Sequence, residues 1–114
     1  MFKNKQQSPN TKVELSNKEF DKIKVGSLLI DVRDIGEYQV LKKIANTDNE
    51  LNIINIPYYD LIKNPSTYIT DKNMTIITIC NAGHRSTAAA ISLREQGYPN
   101  AYVLINGVYG YYRK

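Results

Sequence analysis

Residues 75–80 read Thr-Ile-Ile-Thr-Ile-Cys, and residues 81–94 continue Asn-Ala-Gly-His-Arg-Ser-Thr-Ala-Ala-Ala-Ile-Ser-Leu-Arg. An apolar run, a short turn-forming segment and an alanine-rich stretch predict a strand, a tight loop and a helix, in that order. Cys80, the only cysteine of the chain, lies at the junction of strand and loop. Loop N–H groups and the positive end of the helix dipole both favour a thiolate over a thiol. The sequence therefore predicts a protein organised around one reactive sulfur.

Helices and apolar strands alternate along the rest of the chain. Ser16 and Glu19 have the spacing of a capping box, which predicts a short helix ending near Gly26. We predict strands at residues 27–32, 51–56, 75–80 and 101–105 and helical segments at residues 34–41, 58–62 and 86–96, with breaks or turns at 45–50, 64–65 and 106–107. Strands that are apolar on both faces and alternate with helices indicate an α/β fold with a mainly parallel sheet between helices. Ligands bind beyond the carboxyl ends of such strands, where Cys80 lies.

Length and cysteine content limit the class of protein. A chain of 114 residues that is 42% hydrophobic and 23% charged predicts one globular domain. A single cysteine excludes an intrachain disulfide and a multi-cysteine metal site within one chain, and fits a reducing compartment. We expect a cytoplasmic protein, because no apolar stretch has the length of a signal peptide or a membrane span. Residues 1–12 show no apolar periodicity and are predicted to form a flexible arm before a domain at 13–114.

The net charge of +4 comes from 15 basic and 11 acidic residues. Such an excess can indicate an anionic substrate or a nucleic acid. No basic stripe or nucleic-acid motif occurs in the sequence, so we interpret the charge as a general lysine-rich composition. We expect no nucleic-acid partner and no membrane partner.

The loop after Cys80 has the composition of an anion-binding nest. Asn81, Ala82 and Gly83 are small or turn-tolerant, and Gly83 can adopt a positive φ. Such a loop can curl around the sulfur with its N–H groups directed inward. Arg85 adds a fixed positive charge suited to an oxyanion. The nest could hold a thiolate, a persulfide or an anion, and the expected chemistry is thiolate attack on electrophilic sulfur or phosphorus.

Spacing separates sulfur from phosphorus. Cysteine phosphatases place five residues between the nucleophilic cysteine and the arginine, whereas four separate Cys80 from Arg85. The shorter loop predicts a smaller cradle, which suits a sulfane sulfur better than a phosphate group.

The segment at 80–86 resembles the active-site loop of single-domain rhodaneses, the thiosulfate sulfurtransferase-like proteins, with the pattern Cys-x-x-Gly-x-Arg-Ser. Three further segments are similar to family signatures and follow in the family's order: residues 29–34 with Glu37-Tyr38, residues 55–57, and residues 97–98 with 101–104. Together the four segments extend over about residues 15–112.

The resemblance implies a three-layer α/β fold with a central sheet of about five strands. It also implies that Cys80 takes sulfane sulfur from a donor such as thiosulfate and passes it, as a persulfide, to cyanide, a thiol or a protein acceptor. The implied substrate-binding residues are Asn81, Ala82, Gly83, His84, Arg85 and Ser86. No cofactor and no metal are implied.

Three features depart from the family pattern. Residues 39–51 lack the usual Gly-His-Ile-Pro-Gly-Ala stretch and its histidine. Asn106-Gly107 and Tyr111 stand where the family often has Gly-Gly and Trp, and the chain ends at Lys114. None of the three lies in the cysteine loop.

Each candidate residue has a structural alternative. Cys80 could be a small buried apolar residue and Arg85 a surface residue, but the loop composition favours catalysis and anion binding. His84 could pair with the cysteine, although an exposed loop position is favoured.

Outside the loop, Asp31 and Arg33 could act as acid and clamp, and we favour an ion pair that supports the fold. Tyr109, Tyr111 and Tyr112 are interpreted as packing residues rather than as a binding platform.

Two other functions compete with sulfur transfer. One is a cysteine phosphatase or arsenate reductase of related fold, which the spacing to Arg85 disfavours. The other is a non-catalytic binding module or a sulfur-relay subunit that works only with a partner. Without a second thiol in the chain, a persulfide on Cys80 would have to be passed to another molecule.

Overall fold

A computed structural model describes residues 12–34 and 51–112 of the chain. The strands are β1 (Glu14–Leu15), β2 (Leu28–Asp31), β3 (Asn52–Asn55), β4 (Ile76–Ile79) and β5 (Ala101–Leu104). The helices are α1 (Asn17–Ile23), α2 (Tyr58–Lys63), α3 (Pro65–Tyr68), α4 (His84–Glu95) and α5 (Gly107–Tyr112).

The five described strands form one parallel sheet in the order β1-β5-β4-β2-β3. Strands β2 and β4 are buried at every position, as expected for central strands with a helix layer on each face. The edge strand β3 is only partly buried. This architecture confirms the predicted α/β fold, and it places Cys80 just beyond the carboxyl end of the middle strand.

Alternate residues of the central strands enter two different apolar layers. Leu28, Ile30 and Ile76 pack with Leu61 of α2 and Leu93 of α4 on one face. On the other face, Leu29 and Ile77 pack with Phe20 of α1 and Val108 of α5. Burial of large apolar side chains on both faces stabilises the sheet, and truncating a fully buried leucine such as Leu93 to alanine typically costs about 2–5 kcal/mol.

The register of β2 and β4 decides which loops meet. Asp31 is the partner of Ile79, and the N–H of Val32 donates to the carbonyl of Ile79 at 3.0 Å. The chain leaves β2 toward β3 on one side and leaves β4 toward β5 on the other. A crevice is therefore expected between the loops that follow β2 and β4. Arg33 and Asn81 each lie two residues beyond these paired strand ends.

Several local predictions are confirmed. Ser16 and Glu19 form the capping box of α1 in both directions, and Gly97 adopts φ +98° just after α4. Strand β3 ends before Pro57, and a helix follows it at α2. The helical segment predicted at 34–41 lies outside the described residues beyond Asp34, as does the polar loop at 45–50. Of the predicted arm at 1–12, only Lys12 is described, and its ammonium group lies 3.2 Å from Glu19.

Other elements differ from the sequence predictions. Helix α4 begins at His84, two residues before the predicted start, because Gly83 with its positive φ serves as the N-cap. Asn106-Gly107 does not simply turn the chain, since Gly107 begins α5. Asn64-Pro65 ends α2 as predicted, but Pro65 then opens the short helix α3, where a proline is tolerated in the first turn. The two-residue strand β1 has too weak a pattern to be predicted.

Tyr111 connects α5 to α1. The ring of Tyr111 meets Phe20 edge-on with centroids 5.3 Å apart, and its hydroxyl donates to Asp21 and accepts from Lys24. Tyr109 is exposed. Tyr111 thus packs mainly against α1, and of Tyr112 only the backbone is described.

Across residues 12–34 and 51–112, the structure contains no helix with the length and apolar character of a membrane span.

Candidate active site

The thiol of Cys80 lies at the base of the loop between β4 and α4, and the residue is only 2% exposed. The N–H of Gly83 donates to Sγ at 3.1 Å, and the N–H of Ser86 donates to the same atom at 3.5 Å. The hydroxyl of Ser86 is a third polar neighbour, 3.1 Å from Sγ. The sulfur therefore occupies the position where an acceptor satisfies the free N–H groups of the first turn of α4.

This geometry lowers the pKa of Cys80. Burial alone raises the pKa of the thiol, because it disfavours the charged form. The hydrogen bonds from the Ser86 hydroxyl and from the amides of Ser86, Gly83 and Ala82 favour the thiolate and together outweigh burial. The net shift is toward the thiolate, the nucleophilic form of cysteine.

Gly83 is required by the shape of the loop. Its φ of +98° turns the chain into α4 while its N–H donates to the sulfur, and its carbonyl accepts the N–H of Thr87 at 3.0 Å, as an N-cap carbonyl should. A Cβ at this position would overlap the backbone carbonyl of Ile105. Both the backbone conformation and the close approach of another chain segment therefore exclude a side chain.

A buried hydroxyl supports Ser86 from the sheet. Thr78 Oγ1 donates to the carbonyl of Ser86 at 2.7 Å or to that of Tyr102 at 3.2 Å, and the residue is fully buried. Sequence reasoning did not identify Thr78 as part of the site. The available signal was a hydroxyl within the otherwise apolar strand Ile76–Ile79, since a buried hydroxyl needs a partner.

The first turn of α5 holds the loop from the side opposite β2. The N–H of Val108 donates to the carbonyl of Cys80 at 2.9 Å, and that of Tyr109 donates to the carbonyl of Asn81 at 3.1 Å. A Cβ on Gly107 would overlap these same two carbonyls. The glycine is therefore needed for close contact between α5 and the loop, a contact that sequence reasoning also missed.

Asp31 and Arg33 form the buried ion pair that was favoured over a direct chemical role. Arg33 Nη2 lies 2.9 Å from Asp31 Oδ2, with side chains that are 5% and 0% exposed. Arg33 Nη1 also donates to Asn81 Oδ1 at 2.6 Å. The pair thus contacts the cysteine loop directly, rather than supporting the fold at a distance.

The remaining predicted site residues lie around the sulfur at different depths. Ala82 is exposed at the tip of the loop, and His84 is exposed at the first position of α4. Arg85 is half-buried at the second position of the same helix. Within residues 12–34 and 51–112, no three histidine, cysteine or acidic side chains come together as a metal site would require.

Comparison with known proteins agrees with this architecture. A family model for the rhodanese-like domain matches residues 12–114. The structure is similar to that of a rhodanese from E. coli (TM-score 0.56, 30% identity, covering 74% of this chain and 89% of that chain). It is also similar to the human single-domain sulfurtransferase TSTD1 (TM-score 0.67, 19% identity, covering 89% and 96%). A thiosulfate sulfurtransferase from Pseudomonas aeruginosa has the same TM-score at 22% identity, covering 89% of this chain but 19% of that one.

The fold and the cysteine loop define a sulfurtransferase-like α/β domain. The chain belongs to the rhodanese-like domain family. No curated protein sequence matches it significantly.

Proposed function

We propose that this chain transfers sulfane sulfur through a persulfide on Cys80. The observation that carries the proposal is the set of donors around one sulfur atom, from the amides of Gly83 and Ser86 and the hydroxyl of Ser86. Donors that favour a thiolate also suit the terminal sulfur of a persulfide, which is likewise an anion. The lowered pKa of Cys80 gives a larger fraction of nucleophilic thiolate than an ordinary cysteine has.

The first half-reaction is written for thiosulfate. The Cys80 thiolate attacks the outer sulfur of the donor, a new S–S bond forms on the protein, and the old S–S bond breaks. Sulfite leaves with the electron pair of the broken bond. Arg85, half-buried beside the loop, would pair with the anionic donor, because a guanidinium suits oxyanions.

The second half-reaction returns the thiolate. An acceptor nucleophile, such as cyanide or a thiolate, attacks the outer sulfur of the persulfide, and the S–S bond breaks toward Cys80. Since the chain has one cysteine, the acceptor must come from outside it. A protein thiol is a suitable acceptor in a reducing compartment such as the cytoplasm, which we propose as the setting.

Two alternative functions remain testable against this proposal. A phosphatase or arsenate reductase is disfavoured, because four residues rather than five separate Cys80 from Arg85. A partner-dependent sulfur relay shares the persulfide and differs only in its acceptor. The intact set of donors around Sγ disfavours a binding module without chemistry.

The test is the intact mass of the protein after incubation with a donor. Reduced protein is treated with thiosulfate or an organic polysulfide, desalted without reductant and weighed by mass spectrometry. We expect the wild type to gain the mass of one sulfur atom, removable by reductant, and Cys80→Ser to gain none. Absence of any gain with the whole donor panel would overturn the proposal.

The same preparations separate the alternatives. Hydrolysis of p-nitrophenyl phosphate by the wild type but not by Cys80→Ala would favour the phosphatase. High persulfide loading with negligible turnover on cyanide would favour the relay.

A further inference from the structure

The guanidinium of Arg33 connects the buried Asp31 to the partly buried Asn81. Its Nε and Nη2 donate to the carboxylate of Asp31 at 2.9–3.2 Å, and its Nη1 donates to Asn81 Oδ1 at 2.6 Å. The residue is 4% exposed, and its bonds to Asp31 lie away from water and are stronger than exposed ones. With Nε and Nη2 bound to Asp31, the planar guanidinium presents Nη1 to the cysteine loop.

Asn81 is held at two atoms, one in its side chain and one in its backbone. Its side-chain Oδ1 accepts from Arg33, and its backbone carbonyl accepts from the N–H of Tyr109 at 3.1 Å. Asn81 stands between Cys80 and the amides of Ala82 and Gly83, both of which favour the thiolate. Fixing Asn81 at both atoms therefore sets the directions of the amides that follow it.

The edge strand fixes the other end of this arrangement. Asn55 Nδ2 lies 2.9 Å from the carbonyl oxygens of both Asp31 and Arg33, and the N–H of Ile56 donates to the carbonyl of Asp31 at 3.1 Å. The backbone that carries Arg33 is thereby tied to β3. The chain of contacts runs from Asn55 through Arg33 to Asn81 and ends at the sulfur.

We propose that Arg33, acting through Asn81, is a positioning residue for the Cys80 thiolate. Its charge is already neutralised by Asp31 at 2.9 Å, so the effect on the sulfur comes from loop geometry rather than from a direct field. The proposal makes Asn81, which lies outside the Cys-x-x-Gly-x-Arg-Ser signature positions, a determinant of thiolate stability. The kinetic part of the proposal rests on the proposed sulfur transfer, whereas the pKa part does not.

The decisive variant is Asn81→Ala, which removes the acceptor and leaves the Asp31–Arg33 pair intact. The matched control is Asn52→Ala, a loss of the same amide from an exposed position on β3. Thiolate formation is followed by ultraviolet absorbance against pH, with Cys80→Ser as the baseline for tyrosine and scattering. We expect Asn81→Ala to raise the apparent pKa of Cys80 by about 0.5 unit or more, and Asn52→Ala to leave it unchanged.

Persulfide loading by thiosulfate gives a second, kinetic readout. We expect loading of Asn81→Ala to slow about tenfold at neutral pH, because small displacements of reacting groups have effects of that size or larger. Arg33→Lys keeps the positive charge but lacks the planar guanidinium. If this variant folds, it should show the same rise in the pKa of Cys80. A wild-type titration curve for Asn81→Ala would overturn the positioning role, whatever the loading assay shows. Failure of the wild type itself to load sulfur would overturn the proposed function and leave the titration result standing.

Discussion

The amide nitrogen of Gly83 lies 3.1 Å from Sγ of Cys80, and the φ of +98° at Gly83 turns the chain from this nitrogen into the following helix. One left-handed residue thus does two things at once. It is the N-cap of helix α4, and its N–H donates to the sulfur. The stabilisation of the thiolate and the start of the helix therefore depend on the same residue. Replacing this glycine should impair both.

Gly83→Ala should destabilise the fold and raise the pKa of Cys80. A positive φ costs a non-glycine residue about 1–3 kcal/mol, and here a Cβ would also overlap the carbonyl of Ile105. Gly26→Ala is the matched control, because Gly26 has a similar φ of +90° with no atom within 4 Å of its ideal Cβ. Urea unfolding should show a clearly larger loss for Gly83→Ala than for Gly26→Ala. Equal losses would mean that the contact with Ile105 is unimportant.

The pH dependence of alkylation follows from the lowered pKa of Cys80. Because only the thiolate reacts, the rate with iodoacetamide should fall as the pH drops through the folded-state pKa, and should stay high below the pH at which an unfolded cysteine loses its reactivity. The check is the rate profile of the native protein beside that of the same protein in denaturant. A native midpoint at or above the denatured one would contradict the described hydrogen bonding.

The same shift makes a prediction about stability. A group whose pKa is lowered by folding contributes stability above its unfolded pKa, and that contribution disappears as the pH falls through the folded pKa. The urea midpoint of the wild type should therefore rise relative to that of Cys80→Ser as the pH increases from neutral to mildly alkaline. Unfolding curves of both proteins across that range provide the measurement, and an identical pH dependence for both proteins would argue against a stabilised thiolate.

Ser86→Ala should raise the pKa of Cys80 and slow its persulfidation. The Ser86 hydroxyl lies 3.1 Å from Sγ and is the largest of the contributions that favour the thiolate. Ser92→Ala, on the same helix with its hydroxyl accepting from the Gln96 side chain, is the control. The thiolate absorbance titration distinguishes them. If the two variants titrate alike, the hydroxyl does not act on the sulfur.

The main features of the site could be predicted from sequence, because they depend on local chemistry. A few consecutive residues predict the strand before Cys80 and the turn-tolerant loop after it. The capping box at Ser16, which begins α1, is predicted in the same way. The predicted start of α4 at residue 86 is two residues too late, because a glycine at the N-cap has no capping side chain that would mark it in the sequence. In the structure Gly83 occupies that position and the sulfur accepts the first-turn amides instead.

Contacts between distant segments could not be predicted in the same way. The bond from Arg33 to Asn81 depends on the pairing of Asp31 with Ile79, which no local pattern encodes. The amides of Val108 and Tyr109 reach the loop only because Gly107 begins a helix that the Asn-Gly pair led us to interpret as a turn. Long-range register and close backbone approach decided these parts of the site.

The most direct test of the account is a single turnover in two separated steps. Persulfidated wild type is prepared with thiosulfate, freed of donor by gel filtration, and then mixed with cyanide or a thiol. The account predicts about one equivalent of thiocyanate, or of thiol-bound sulfur, per protein, with the intact mass returning to that of the reduced chain and Cys80→Ser releasing none. A protein that takes up no sulfur in the first step, or whose sulfur lies elsewhere than on Cys80, would contradict it.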